Sequence, residues 1–163
     1  MSMKPLFEDE FWEVTIEWKK PKEYNRLLRE GSDHDETARL YLITARYAKA
    51  TSKGKYIGKT FRQKVSVRLK QPDHKKRYAA FTGKHPNHKF FVSHGIITMH
   101  NGKLTEKRLA EIEQILIYSN DPTHSGNVKN FYEHGVSGSY AITNTGFRCS
   151  LPRKIQLGVF AAY

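Results

Sequence analysis

Residues 39–60 read RLYLITARYAKATSKGKYIGKT. Two runs rich in β-branched and aromatic residues, RLYLITARYA and KYIGKT, flank a polar connection, KATSKGK, that carries a glycine. Strand propensity on both sides of a turn-forming segment predicts two adjacent strands, and a short connection makes them antiparallel. The second strand stops on a tyrosine, a glycine and a lysine rather than continuing in aliphatic residues. A phenol and a cation beside a glycine turn at a strand end point to chemistry rather than core filling.

Working outward, Trp12, Val14, Ile16 and Trp18 alternate as in a half-buried strand, and the stretch EYNRLLREG predicts a short helix ending at Gly31. After KYIGKT, Val65 and Leu69 fall at helical spacing in a short basic helix that stops before Pro72. Residues 73–89 show no periodicity and read as a loop, and FFVSHGIITM reads as a third strand closed by the Asn101-Gly102 turn. Thr105 is placed to cap a helix whose buried stripe is Leu109, Ile112, Leu116 and Ile117, and residues 139–163 read as a hairpin or extended tail. The expectation is one α+β domain over 1–163: a small antiparallel sheet flanked by helices.

Net charge narrows the class of function. The chain carries 28 Lys and Arg against 16 Asp and Glu, and between Arg46 and Lys89 there are fourteen basic residues to a single acid, Asp73. Residues 1–36 are net negative by contrast. A one-sided basic stretch is the footprint of a polyanion-binding face. No apolar run approaches the ~20 residues of a membrane helix, no secretory h-region precedes the first strand, and the single cysteine, Cys149, forms no internal disulfide, so a cytoplasmic protein with no membrane partner is expected.

The order strand, hairpin, strand, basic helix, strand, acid-bearing helix, asparagine-bearing loop resembles the GIY-YIG nuclease family over residues 39–130, with 1–38 and 131–163 as N- and C-terminal extensions. Tyr56, Ile57 and Gly58 match the second motif of that family. Arg39, Leu40 and Tyr41 stand at the first, where the tyrosine alone is kept. Arg68 in VRL matches the helix arginine, Glu113 in EQILI the glutamate, and Asn127, with Asn130 as the alternative, the terminal asparagine. The resemblance implies a metal-dependent DNA endonuclease in which Tyr41 is the base or water-positioning group and Tyr56 supports it. It also implies a homodimer as one arrangement, since relatives with one site often dimerise to cut both strands.

The residue types suit that chemistry on their own terms. Phosphodiester hydrolysis needs an activated water, neutralised charge at phosphorus and a cation at the leaving oxygen. Glu113 is expected to hold a hydrated Mg²⁺ or Mn²⁺, because such an ion keeps most of its waters and takes few protein ligands. Arg68 has the planar fork for the scissile phosphate, and Lys59 is a second cation after the glycine. Lowering a tyrosine pKa from about 10 requires nearby cations, here Lys59 and Arg68, or a relay for the proton. Arg62, Lys64, Lys75, Lys76, Arg77, Lys84 and Lys89 are the expected phosphate grip. His85, His88, His94 and His100 lack the spacing and the cysteines of a zinc site, and His74 is a weak candidate for the catalytic set. A catalytically inactive nucleic-acid-binding module of the same fold is the competing reading.

Overall fold

The computed structural model describes residues 3–5, 11–119, 136, 138–157 and 160–162. Its elements, in chain order, are β1 (Met3–Pro5), β2 (Phe11–Trp18), β3 (Lys22–Glu23), α1 (Tyr24–Glu30), β4 (Leu40–Tyr47) and β5 (Lys53–Lys59). There follow α2 (Val65–Leu69), α3 (Pro72–Lys84), β6 (His88–Met99), α4 (Glu106–Tyr118), β7 (Ser139–Gly146), β8 (Lys154–Leu157) and β9 (Phe160–Ala162). The fold is α+β. Seven strands form one sheet in the order β5-β4-β6-β2-β7-β8, with β3 pairing β6 to one side, and β1 pairs β9 separately.

The hairpin of β4 and β5 is antiparallel as expected, with Tyr41 opposite Gly58 and Ile43 opposite Tyr56. β6 lies on the other side of β4, placing His94 opposite Tyr41 and His88 opposite Tyr47. The sheet is larger than expected and is not purely antiparallel, because β2 pairs β7 in parallel, from Phe11 opposite Ser139 to Trp18 opposite Gly146. The segments read as terminal extensions therefore supply β2, β3, β7 and β8 to the same sheet as the hairpin.

Period-two alternation sends neighbouring residues of β4 to opposite faces. Leu40 and Leu42 join Val14, Ile16, Trp18 and the α4 stripe Leu109, Ile112, Leu116 and Ile117 in one core. Tyr41, Ile43 and Ala45 face the other way, into a second core with Tyr24, Leu27, Val65, Leu69, Phe81 and Phe90. Each large side chain fully buried in these cores contributes about 1.5–3 kcal/mol of transfer free energy.

The helix expectations hold at α1, which Gly31 ends at φ +69°, and at α4, where the Thr105 hydroxyl accepts from the Arg108 N–H. The loop expected over residues 73–89 is corrected: thirteen of the residues from Pro72 form α3. Pro72 sits in the first turn of α3, where its missing N–H costs nothing, so the proline that stops α2 also starts the next helix. The buried residues of α3 are His74 and Phe81, with Tyr78 half-buried between them, a stripe of rings rather than aliphatic side chains.

Candidate active site

Gly58 and Tyr41 face each other across the β4–β5 ladder, and the phenol ring lies directly over the glycine. A Cβ built on Gly58 would stand 2.2 Å from the Tyr41 Cζ, so the residue opposite Tyr41 has to be glycine. The glycine thus makes room for the ring. Regular pairing of Tyr41 with Gly58 and of Ile43 with Tyr56 puts Tyr56 on the Tyr41 face, and a bulge beyond it, between Ile43 and Thr44, leaves Lys55 without an opposite number. The two phenol rings lie 6.1 Å apart at 29°.

α3 closes over this pair. The Tyr41 hydroxyl and His74 Nε2 are 2.8 Å apart, and an Arg77 guanidinium N–H reaches His74 Nδ1 at 3.0 Å. Arginine has no acceptor, so Nδ1 accepts and the neutral imidazole carries its proton on Nε2, which donates to the Tyr41 oxygen. The same guanidinium lies 4.1 Å over the Tyr56 ring. Arg68, on α2, forms a two-pronged ion pair with Asp73 at 3.0 and 3.1 Å and also donates to the Gln71 side chain. That hydrogen bond holds the Asp73 carboxyl down at about 2.

The electrostatics differ from the expectation for Tyr41. The ring is wholly buried, and desolvation drives its pKa well above 10, with Tyr56 adding to the rise and Arg68 opposing it. Nearby cations therefore do not make Tyr41 acidic. Tyr56 is only partly buried, and its pKa is raised by desolvation against the pull of Arg77. His74 is pushed down to about 4 by burial, assisted by Arg68 and Arg77, and is neutral at pH 7.

That depressed value fixes the sign of a pH effect. The unfolded chain takes up a proton at this histidine as pH drops through 6.5, whereas the folded chain resists until about 4, so stability falls over that window. We expect the parent to lose about 2 kcal/mol more than His74→Gln between pH 6.5 and 5, measured as the shift in denaturant midpoint. Equal losses in the two proteins would show that His74 is not held neutral.

β5 is the edge strand, and the constellation straddles it. Lys59, opposite Leu40, points to the α4 face, where its ammonium meets Glu113 Oε1 at 3.1 Å. Glu113 is buried on α4, and its charge contributes to raising the pKa values of Tyr41 and Tyr56. Glu111 is buried as well and accepts from the Tyr140 hydroxyl at 2.9 Å. Among the described residues no three His, Cys, Asp or Glu side chains group to hold a metal ion. Glu113 alone suits a hydrated Mg²⁺, which needs one or two carboxylates, with Lys59, 39% exposed, giving up its place.

Of the expected phosphate grip, Lys75, Lys76 and Lys84 are exposed on α3 and Lys89 on β6. Arg62 and Lys64 line a cleft of about 200 Å³ with Glu36, Arg39 and Gln63, at the strand end next to Lys59. Arg77 leaves that group, since it contacts His74 and Tyr56. Asn127 and Asn130 lie outside the described residues.

Two features escaped the sequence reading. His74 and Arg77, three apart, share a helix face only once residues 72–84 are known to be helical. The second is a buried network in which Asp35 accepts from the Ser66 hydroxyl at 2.5 Å and from His94 Nε2 at 2.7 Å, fastening the loop after α1 to α2 and β6. Nothing in the polar stretch around Asp35 distinguishes it from its neighbours. No protein-family model matches this chain, and no curated protein or solved structure shows significant similarity to it.

Proposed function

We propose that the chain is an endonuclease that hydrolyses phosphodiester bonds in DNA with Mg²⁺ or Mn²⁺, as the resemblance to GIY-YIG nucleases implies. The observation that supports this reading is the convergence of Tyr41, Tyr56, His74 and Arg77 with Arg68 and with the Lys59–Glu113 pair around one end of the β4–β5 hairpin. Two phenols, a neutral imidazole, three cations and one carboxylate supply what a displacement at phosphorus demands.

In this proposal Tyr56, the less buried phenol, lies nearest the attacking water. Tyr41 sits behind it with its oxygen fixed by His74 Nε2–H, and Arg77 locks the imidazole in that tautomer. Arg68 turns from Asp73 to the phosphate when substrate arrives, its planar fork exchanging one two-pronged oxyanion partner for another. Glu113 would hold a divalent ion, whose positive charge would stabilise the leaving oxygen. Lys59, released from Glu113, is left beside the same anion.

A binding module without turnover is favoured by one specific observation: Glu113 and Arg68 already have partners of opposite charge within the chain. Incubation with supercoiled plasmid separates the two readings. Nicked or linear product in Mg²⁺ or Mn²⁺, abolished by chelator, supports the nuclease. Tight, salt-sensitive binding without product supports the module, and no binding at low salt overturns both.

A further inference from the structure

The α3 face of the sheet carries a line of rings that begins in the site and ends in solvent. From the Tyr41–His74 contact it runs through Tyr78 and Phe81, both packed on Phe90, at 5.6 and 6.2 Å. Beyond Phe81 the helix ends, and His85 and His88 bring their rings within 4.8 Å of each other. His88 in turn lies 5.4 Å from Tyr47, its partner across the β4–β6 ladder. Tyr47 is 54% exposed, the last member of the Tyr41, Ile43, Ala45, Tyr47 row and the only one outside the core.

Among the described residues, several exposed cations stand near this outer trio. Lys53, opposite Ala45 on the same face, and Lys84, in the last turn of α3, are exposed beside it, and Lys49 stands on the hairpin tip. Round the strand end, exposed Arg46 and Lys89 are directly opposite each other. Like charges in that register oppose pairing, and the Arg46 guanidinium leans instead over the Phe91 ring at 5.2 Å. The one acid between residues 46 and 89, Asp73, lies at the far end of α3 and is bound to Arg68. An exposed ring beside these cations complements a ligand that is itself aromatic and anionic.

We propose that Tyr47, His88 and His85 form a stacking platform for an unpaired base of the bound DNA strand, which makes this end of the hairpin a second contact, distinct from the reacting site. The proposal rests on the nucleic-acid reading above. Tyr56, the phenol placed nearest the water, is opposite Ile43, four residues from Tyr47 on β4, about 13 Å along the strand. That corresponds to roughly four steps of 3.4 Å along a duplex strand. The platform therefore selects DNA that offers an unpaired end or flap about four steps from the bond to be cut. Base-on-ring stacking tolerates any base sequence, so the selection is for structure.

The test is binding by fluorescence anisotropy, in chelator so that nothing is cleaved, with three labelled duplexes: blunt, with a short unpaired overhang, and with the same overhang made abasic. The abasic arm keeps the phosphates and removes the stacking faces. We expect the base-bearing overhang to bind about tenfold tighter than the abasic one. Tyr47→Ala should erase that difference and leave blunt-duplex affinity within about twofold, whereas Tyr47→Phe should keep it. Tyr47 is exposed, so neither variant threatens the fold. Equal affinity for the two overhangs, or a loss in Tyr47→Ala that is the same for all three probes, overturns the platform while the DNA reading stands. Failure of the parent to bind any of the three overturns both.

Discussion

Glu113→Gln should reduce DNA cleavage on the order of a thousandfold while DNA affinity in chelator stays within about twofold. The substitution keeps the shape of a side chain that is buried on α4 and removes only its charge. If Glu113 were present merely to pair with Lys59, the cost would fall on stability, and it would be small, because that ammonium is 39% exposed and such pairs are worth about 1 kcal/mol or less. A metal-holding carboxylate gives the opposite pattern, with melting temperature nearly unchanged and single-turnover rate lost. Cleavage by the variant within tenfold of the parent would remove Glu113 from the site and leave the metal without a protein ligand among the described residues.

Gly58→Ala should destabilise the fold by about 3 kcal/mol and lower the melting temperature by about 9 °C. The added methyl would meet the Tyr41 ring at 2.2 Å, and that ring has nowhere to go, held between the sheet, His74 and Tyr56 in a fully buried position. Whatever shift relieves the clash also displaces the Tyr41 hydroxyl from His74, so cleavage should fall along with stability. Adding Tyr41→Ala to Gly58→Ala isolates the cause. The double variant should be markedly less destabilised than the sum of the two singles, since the smaller side chain removes the obstacle. Strict additivity would mean that the glycine serves the backbone and not the ring.

How legible these features were depended on how local their cause is. The β4–β5 hairpin, the Thr105 cap and the α4 stripe are set by residues within a few positions of one another, and their chemistry shows in the letters. Tyr41, Tyr56, Lys59, Arg68 and Glu113 do gather around one strand end. α3 was hidden because its inner face is built of His74, Tyr78 and Phe81, which carry little aliphatic periodicity, and because Pro72 reads as a stop when it is also a start. With the helix hidden, the roles of His74 and Arg77 were hidden too, and Arg77 looked like one more cation among fourteen. Burial of Tyr41 by α3 is what reverses its electrostatics, and a ring's depth is not a property of the sequence around it. The parallel pairing of β2 with β7 depends on residues more than a hundred positions apart, beyond the reach of any local pattern.

That pairing also governs how the molecule folds and comes apart. The Trp18 indole N–H finds its acceptor on Asn144, 126 residues away and fully buried. The hairpin and the helices assemble from near neighbours, but the inner face of β2 is sealed against α4 only when β7 docks along its outer edge. Closing so long a loop costs chain entropy that near contacts do not recover, so docking of β7 is expected to come late in folding. Once closed, the two flanks clasp each other around everything between them. Neither flank can peel away without opening the shared core, so the half that carries the hairpin should not survive excision as an autonomous fragment, and the sheet is expected to melt as a single cooperative body.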